Sequence, residues 1–261
     1  MGLNFRVTKT SKKISLPVYH QFFRMLNHEK TEHSDHAAEI TALKASWTHA
    51  RPRVSASKLS PTSRRIHFVR HGQGTHNLLA KEIGFTAYKD ERVADARLTE
   101  LGREQASKNQ PSTADLPLNI VYVSPLSRAV ETALLAFKGA QEKGVLFQAA
   151  ENLREQIGCH CCDRRRSVDE IQADFPSVSF KELETNADVL WTEEREPKSG
   201  VAERGFAFFE MLRETDFSEV AVVGHSSHLL TMFNVVLDCG EEEELQGWFE
   251  TGELRSVWVD L

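Results

Sequence analysis

Short apolar runs alternate with helical patterns along the chain from residue 66 onward. Four runs have the length and composition of buried strands: 66–69 (IHFV), 119–123 (NIVYV), 145–149 (VLFQA) and 220–224 (VAVVG). The segments between them predict helices near 75–84, 99–109, 126–138, 201–214 and 226–236, and residues 253–261 predict a closing strand. This alternation predicts an α/β fold with a mostly parallel central sheet and helices on both faces.

The first 61 residues do not follow this alternation. A helix is predicted from about Asp35 to Thr48, and the polar stretch 51–65 (RPRVSASKLSPTSRR) resembles a linker that no compact core needs. We therefore expect an N-terminal extension and linker at 1–61, followed at 62–261 by the domain that carries the chemistry.

Composition and charge exclude several classes of partner. The 261 residues include 32 Lys and Arg against 38 Asp and Glu, and a net charge of −6 gives no general attraction for nucleic acid or an acidic membrane surface. No apolar run approaches the roughly 20 residues that a membrane span needs. Three of the four cysteines fall within 159–162, which suits a reducing compartment. A soluble cytoplasmic protein is expected, although the basic composition of residues 1–28 leaves import into an organelle open.

Polar and charged residues follow each predicted strand. Ligands of open α/β sheets collect at the carboxyl ends of the strands, so these residues are expected to meet at one edge. The candidates, in chain order, are Arg70 and His71, Arg128, Glu155, and His225.

This set of side chains suits phosphoryl transfer through a histidine. An imidazole is nucleophilic only when unprotonated, and nearby arginines disfavour its charged form while binding phosphate oxygens. Gly72 would let the backbone approach the phosphate, and Asn77 would add a donor. Glu155 could protonate the leaving oxygen, because a bound phosphate dianion would oppose the carboxylate charge. His71 is therefore the predicted nucleophile.

Five motifs in this order resemble the histidine phosphatase superfamily, which includes cofactor-dependent phosphoglycerate mutase. They are RHGQGTHN (70–77), LTELGREQA (98–106), SPLSRAVETA (124–133), LRE (153–155) and VGHSSH (223–228), and the resemblance covers about residues 64–261. It implies a phosphoglycerate mutase-like fold and a reaction that needs no metal or other cofactor. It also implies a role for each candidate residue: His71 as the phosphorylated nucleophile, Arg70, Arg128 and His225 as phosphate-binding residues, Asn77 as an auxiliary residue, and Glu155 as the proton donor.

A narrower similarity concerns the substrate. Residues 153–166 and the ELRSV sequence at 253–257 resemble phosphoglycerate mutase-like proteins of plants and fungi, which implies that Arg165 binds a second anionic group. True mutases carry Glu-Arg-His-Tyr-Gly at the acid, whereas this chain has Gln, Ile and Gly after Glu155. The difference favours hydrolysis of a small phosphorylated metabolite. Mutase-type transfer and a non-catalytic phospho-ligand-binding module remain the alternatives.

Several nearby residues have plainer interpretations. The run Asp163-Arg164-Arg165-Arg166 also fits a solvated, salt-bridging loop. The sequence Cys159-His160-Cys161-Cys162 is too contiguous to wrap a tetrahedral zinc ion, so no metal site is predicted there. No role follows from the sequence for His76 or His228.

Overall fold

A six-stranded sheet organises the protein. The structure, a computed structural model of the chain, describes residues 37–240 and 242–261. The strands are β1 Arg53–Ser55, β2 Arg64–Arg70, β3 Ile120–Val123, β4 Leu146–Ala149, β5 Glu219–Gly224 and β6 Leu254–Asp260, in the order β1-β6-β2-β5-β3-β4. Strands β2, β5, β3 and β4 pair in parallel, whereas β6 runs antiparallel between β1 and β2. The predicted α/β fold with a mostly parallel sheet is confirmed.

Helices fill most of the connections. They are residues 37–46 (α1), α2 Thr75–Ile83, α3 Glu100–Ser107, α4 Gln110–Thr113, α5 Ser127–Ala136, α6 Lys138–Glu142, α7 Val168–Asp174, α8 Lys198–Arg213 and α9 Ser226–Thr231. A π-helical turn, Met232–Val236, continues α9. The five helices predicted within 75–236 are present, whereas α4, α6 and α7 span only four to seven residues, too few to show a helical period. The predicted start of α1, at Asp35 and His36, lies outside the described residues.

Strand pairing aligns the polar residues that were predicted to meet. Val69 of β2 lies opposite Val223 of β5, and Val223 also lies opposite Val123 of β3. The residues that follow these three strands therefore leave the sheet at the same edge. His71 continues the pairing by donating its backbone N–H to the carbonyl of Gly224 at 3.0 Å.

Both faces of the sheet are buried. One face packs the side chains of Ile66 and Phe68 beneath α8 and α9, and the other packs Val121 and Val123 beneath α5. Burial on both sides explains why these strands are continuously apolar in the sequence. In the described ranges 37–240 and 242–261, no helix has both the length and the apolar character to cross a membrane.

The prediction that residues 51–65 form a linker outside any compact core is wrong, because part of this segment belongs to the core. Strand β1 pairs with β6, the side chain of Val54 is buried, and the Val54 amide donates to the carbonyl of Asp238 at 2.8 Å. Ile40 of α1 is also buried in the core. Ala38–Leu261 accordingly form one compact unit. A three-residue strand in a polar segment carries too little alternation to be recognised from sequence.

Candidate active site

His71 is held as a neutral imidazole at the end of β2. Its Nδ1 donates to the carbonyl of Gly72 at 2.6 Å, so Nε2 carries the lone pair and accepts a hydrogen bond from Arg128 Nε at 3.3 Å. The residue is only 2% exposed. Burial lowers the pKa of His71 well below its usual value, and the charges of Arg128 and Arg70 lower it further. The arrangement therefore keeps Nε2 unprotonated at neutral pH, which is the state that a nucleophilic imidazole requires.

Arg128, on the first turn of α5, is fixed by a buried carboxylate. Its Nη2 pairs with Asp163 Oδ1 at 2.8 Å and its Nη1 donates to the carbonyl of Cys162 at 2.5 Å. Burial would raise the pKa of Asp163, but the His160 hydrogen bond and the charges of Arg195 and Arg128 hold it well below its usual range. Asp163 also accepts from Arg195 at 2.9 Å. The predicted solvated loop is thus wrong at Asp163, whose charge orients two guanidinium groups.

Buried polar atoms around His71 lack partners within the described part of the chain. They are Arg70 Nε, His76 Nδ1 and His225 Nδ1. The His225 ring centroid lies 5.0 Å from that of His71, and the His76 centroid lies 5.6 Å from it. Arg70 Nη1 donates to the Phe249 carbonyl at 2.6 Å, which anchors one end of its guanidinium. Buried polar groups usually have partners, so this convergence indicates a seat for a polar ligand.

Glu155 lies at the amino end of α9. Its carboxylate accepts hydrogen bonds from the backbone amides of Ser227 at 3.1 Å and His228 at 3.0 Å, and from the hydroxyl of Ser226 at 3.2 Å. Amides at a helix N-terminus favour negative charge, which explains the placement of this 7% exposed carboxylate. Its charge also acts on Arg70 and Lys198. The Glu155 carboxylate thus lies against the first turn of the helix that directly follows His225.

Gly72 and Asn77 have mainly structural contacts. A Cβ at Gly72 would lie 2.8 Å from the carbonyl carbon of Gly102 in α3, so the glycine is needed for packing against that helix. The Gly72 amide donates to Thr132 Oγ1 at 3.0 Å. Asn77 Oδ1 accepts from the Gly74 amide at 2.9 Å, which leaves its Nδ2 as the donating end. The close backbone approach predicted for Gly72 is therefore made to α3.

A family model connects these residues with known proteins. The model of the histidine phosphatase superfamily (branch 1) matches residues 66–255, a range that contains every candidate catalytic side chain. This chain belongs to the histidine phosphatase superfamily.

Relatives of this chain have been described in plants. The chain is 36% identical over 229 residues to a phosphoglycerate mutase-like protein of Arabidopsis thaliana, covering 74% of this chain and 83% of the relative. It is 32% identical over 227 residues to phosphoglycerate mutase-like protein 1 of the same plant, covering 74% and 80%.

Solved structures share the fold of this chain. A phosphoglycerate mutase from Bacillus anthracis superposes with a TM-score of 0.52 at 18% identity, covering 75% of this chain and 88% of the other. The alpha-ribazole phosphatase from Shigella flexneri gives a TM-score of 0.51 at 18% identity, covering 74% and 89%. At these identities the likeness shows the fold alone.

Arg165 has contacts that do not match its predicted role. Its Nη1 donates to the carbonyl of Asn186 at 2.9 Å and its Nη2 to that of Thr185 at 3.0 Å, while Nε lies 3.0 Å from Glu151 Oε1. Arg154 is similarly occupied by Asp188, at 2.6 Å. Both guanidinium groups connect loops of the protein through these hydrogen bonds and ion pairs. These contacts do not support the binding of a second anionic group that was expected for Arg165.

A buried lysine is the main feature that the sequence did not indicate. Lys198, at the start of α8, is fully buried, and its Nζ donates to Gln156 Oε1 at 2.8 Å and to Ser227 Oγ. Burial lowers the pKa of Lys198, and the charge of Glu155 opposes that shift. Because Ser227 and Gln156 also donate backbone amides to Glu155, Lys198 stabilises the frame that holds this carboxylate.

Proposed function

We propose that the protein is a phosphatase that hydrolyses a small phosphomonoester through a phosphohistidine on His71. The observation that carries the proposal is the buried, neutral Nε2 of His71 beside the guanidinium of Arg128. Arg70 and His225, each with an unpartnered buried nitrogen among the described residues, complete an anion-binding seat. Phosphatases and mutases share this superfamily fold, so the choice between them rests on further residues.

The first step transfers the phosphoryl group to the protein. The Nε2 lone pair of His71 attacks phosphorus, an N–P bond forms, and the P–O ester bond breaks. Glu155 in its protonated form gives its proton to the departing oxygen. Arg70 and Arg128 stay charged and hold the equatorial oxygens as charge redistributes, which contributes about 3 kcal/mol for each well-placed donor.

The second step returns the histidine to its neutral state. The Glu155 carboxylate takes a proton from water as the water oxygen attacks phosphorus, and the N–P bond breaks. Inorganic phosphate leaves, and Glu155 is again protonated for the next substrate. The negative charge of bound phosphate favours that protonated form, while the α9 amides stabilise the carboxylate between steps.

Mutase-type transfer is the second candidate, because the plant relatives carry phosphoglycerate mutase-like names. Against it, the residue after Glu155 is Gln156, whose amide side chain is occupied by Lys198 and the carbonyl of Glu196. Phosphate release and 3-phosphoglycerate isomerisation can be measured together, with and without a bisphosphate primer. Isomerisation that depends on the primer, without net phosphate release, would overturn the choice of phosphatase.

The nucleophile can be tested directly. His71→Ala should abolish p-nitrophenyl phosphate hydrolysis and the acid-labile, base-stable radiolabel that phosphohistidine leaves on the protein. The matched control is His67→Asn, because His67 lies buried on the same strand and contacts Ser256 and Glu219 instead of the site. Normal turnover in folded His71→Ala would refute the mechanism, and lack of activity in the wild type would favour a binding module.

A further inference from the structure

Aromatic rings lead from the nucleophile to the protein surface. The ring of His76 lies between His71 and Tyr88, with centroid distances of 5.6 Å and 5.8 Å. Tyr88 packs against Phe85 at 4.8 Å and against His160 at 5.3 Å, and Phe85 lies 5.2 Å from His160. We name Phe85, Tyr88 and His160 the aromatic cluster. Phe85 and Tyr88 lie in the turn Phe85–Lys89 that directly follows α2, and His160 comes from the loop that precedes Cys161–Asp163.

The aromatic cluster is open to solvent at one end. Phe85 is 39% exposed, whereas His76, at the inner end of the row of rings, is 4% exposed. Trp191 is anchored beside the cluster, because its indole Nε1 donates to the carbonyl of His160 at 2.9 Å. A large ring left partly in water beside a buried polar seat has apolar area to bury against a ligand.

The arginines of the surrounding loops point in the same direction. Every arginine in 84–97 and 158–198, the two loop segments beside the aromatic cluster, has a carboxylate partner. The pairs are Arg92 with Asp90, Arg97 with Asp174, Arg164 with Glu91, Arg165 with Glu151, Arg166 with Asp95, and Arg195 with Asp163. A second anionic group on the substrate would have to compete with these carboxylates.

We propose that the aromatic cluster binds an aromatic group on the alcohol side of the phosphomonoester. The inference rests on the proposed phosphatase function and names its substrate class. The phosphate occupies the seat beside His71, and the organic group lies against Tyr88 and Phe85. Ring stacking and edge contacts favour an aromatic group over a saturated one of equal size. A small polyanion such as phosphoglycerate gains little from these rings.

The test compares esters of primary alcohols with similar basicity. Benzyl phosphate should be hydrolysed with kcat/KM at least about tenfold above ethyl phosphate, and also above cyclohexylmethyl phosphate and 3-phosphoglycerate. Phe85→Ala should lower the benzyl-to-ethyl ratio at least about fivefold. Ile83→Ala, which removes an exposed apolar side chain nearby, is the matched control and should leave that ratio unchanged.

A binding measurement separates recognition from chemistry. Benzylphosphonate, which has no ester bond to hydrolyse, should inhibit p-nitrophenyl phosphate hydrolysis more strongly than methylphosphonate, and Phe85→Ala should reduce that difference. Equal kcat/KM for benzyl and ethyl phosphate, or an unchanged ratio in Phe85→Ala, would overturn the aromatic site and leave the phosphatase standing. Failure to hydrolyse any ester and to form phosphohistidine would overturn both proposals.

Discussion

Acidification from pH 7 to pH 5.5 should destabilise this protein strongly, because at least four histidines in the described part of the chain are buried as neutral rings. His71, His76, His225 and His228 are each at most 4% exposed. Burial lowers the pKa of His228 to about 3, and burial with nearby cationic charge lowers the pKa of the other three well below the usual value. In the unfolded chain each pKa returns to about 6.5. Below that pH the unfolded state binds protons that the folded state excludes, so the free energy of unfolding decreases as the pH decreases.

The magnitude follows from the linkage between proton binding and folding. At pH 5.5, protonation stabilises the unfolded state by about 1.4 kcal/mol for each histidine, compared with about 0.2 kcal/mol at pH 7. The four groups together lower the free energy of unfolding by about 5 kcal/mol, which is a large share of the roughly 5–15 kcal/mol typical of a domain. Carboxylates such as Asp163 act with the same sign, but in the unfolded chain they titrate near pH 4 and contribute little in this window.

Urea unfolding at half-unit intervals from pH 5.5 to pH 8 measures the effect. The free energy of unfolding should rise from pH 5.5 toward pH 7 and level off above pH 7. At the acid end its slope against pH should correspond to the uptake of about four protons on unfolding. His228→Leu should reduce that proton uptake by about one, because leucine cannot bind a proton in the unfolded chain. A free energy of unfolding that stays constant across pH 5.5–7 would refute the account of these rings as buried and neutral.

Three further predictions concern other parts of the molecule. Asp163→Asn leaves buried guanidinium groups poorly paired. It should lower the free energy of unfolding in urea by about 3 kcal/mol, and kcat/KM for p-nitrophenyl phosphate by about 100-fold. Wild-type values would contradict this prediction. Glu155→Gln should lower kcat/KM, which reports the transfer to His71, by about 100-fold or more for ethyl phosphate but far less for p-nitrophenyl phosphate, since nitrophenolate needs no proton. Equal losses in kcat/KM would argue against a proton donor. A chain beginning at residue 62 should be about 4 kcal/mol less stable in urea than one beginning at residue 38, because it loses the buried Ile40 and Val54; equal stability would contradict this.

Much of the fold could be predicted because its strands are buried on both faces. Such strands are continuous apolar runs, and the polar residues that follow them mark the sheet edge where a site forms. His71 and His225 were predicted to meet in this way, and the structure places their rings 5.0 Å apart. The prediction needed only which residues follow each strand and the rule that parallel strands end together.

The charged frame around the site could not be predicted in the same way. Asp163 and Lys198 are buried, yet isolated charges in a sequence favour solvent because burying them unpaired is costly. Their burial depends on partners far away in the chain, such as Arg128 for Asp163. Arg165 shows the opposite error, since a cation close to the acid in sequence is committed to loop carbonyls in space.

The close contact of Gly72 and Gln73 with α3 limits which residues of this protein can be changed in engineering. A Cβ on Gly102 would lie 2.9 Å from the backbone nitrogen of Gln73, and the neighbouring Gly72 carbonyl holds the imidazole of His71. A methyl group added behind the loop would therefore tilt the reactive ring without entering the pocket. Mutant libraries that spare only pocket residues would lose turnover at Gly102, and laboratory evolution of this scaffold should keep Gly72 and Gly102 fixed from the start.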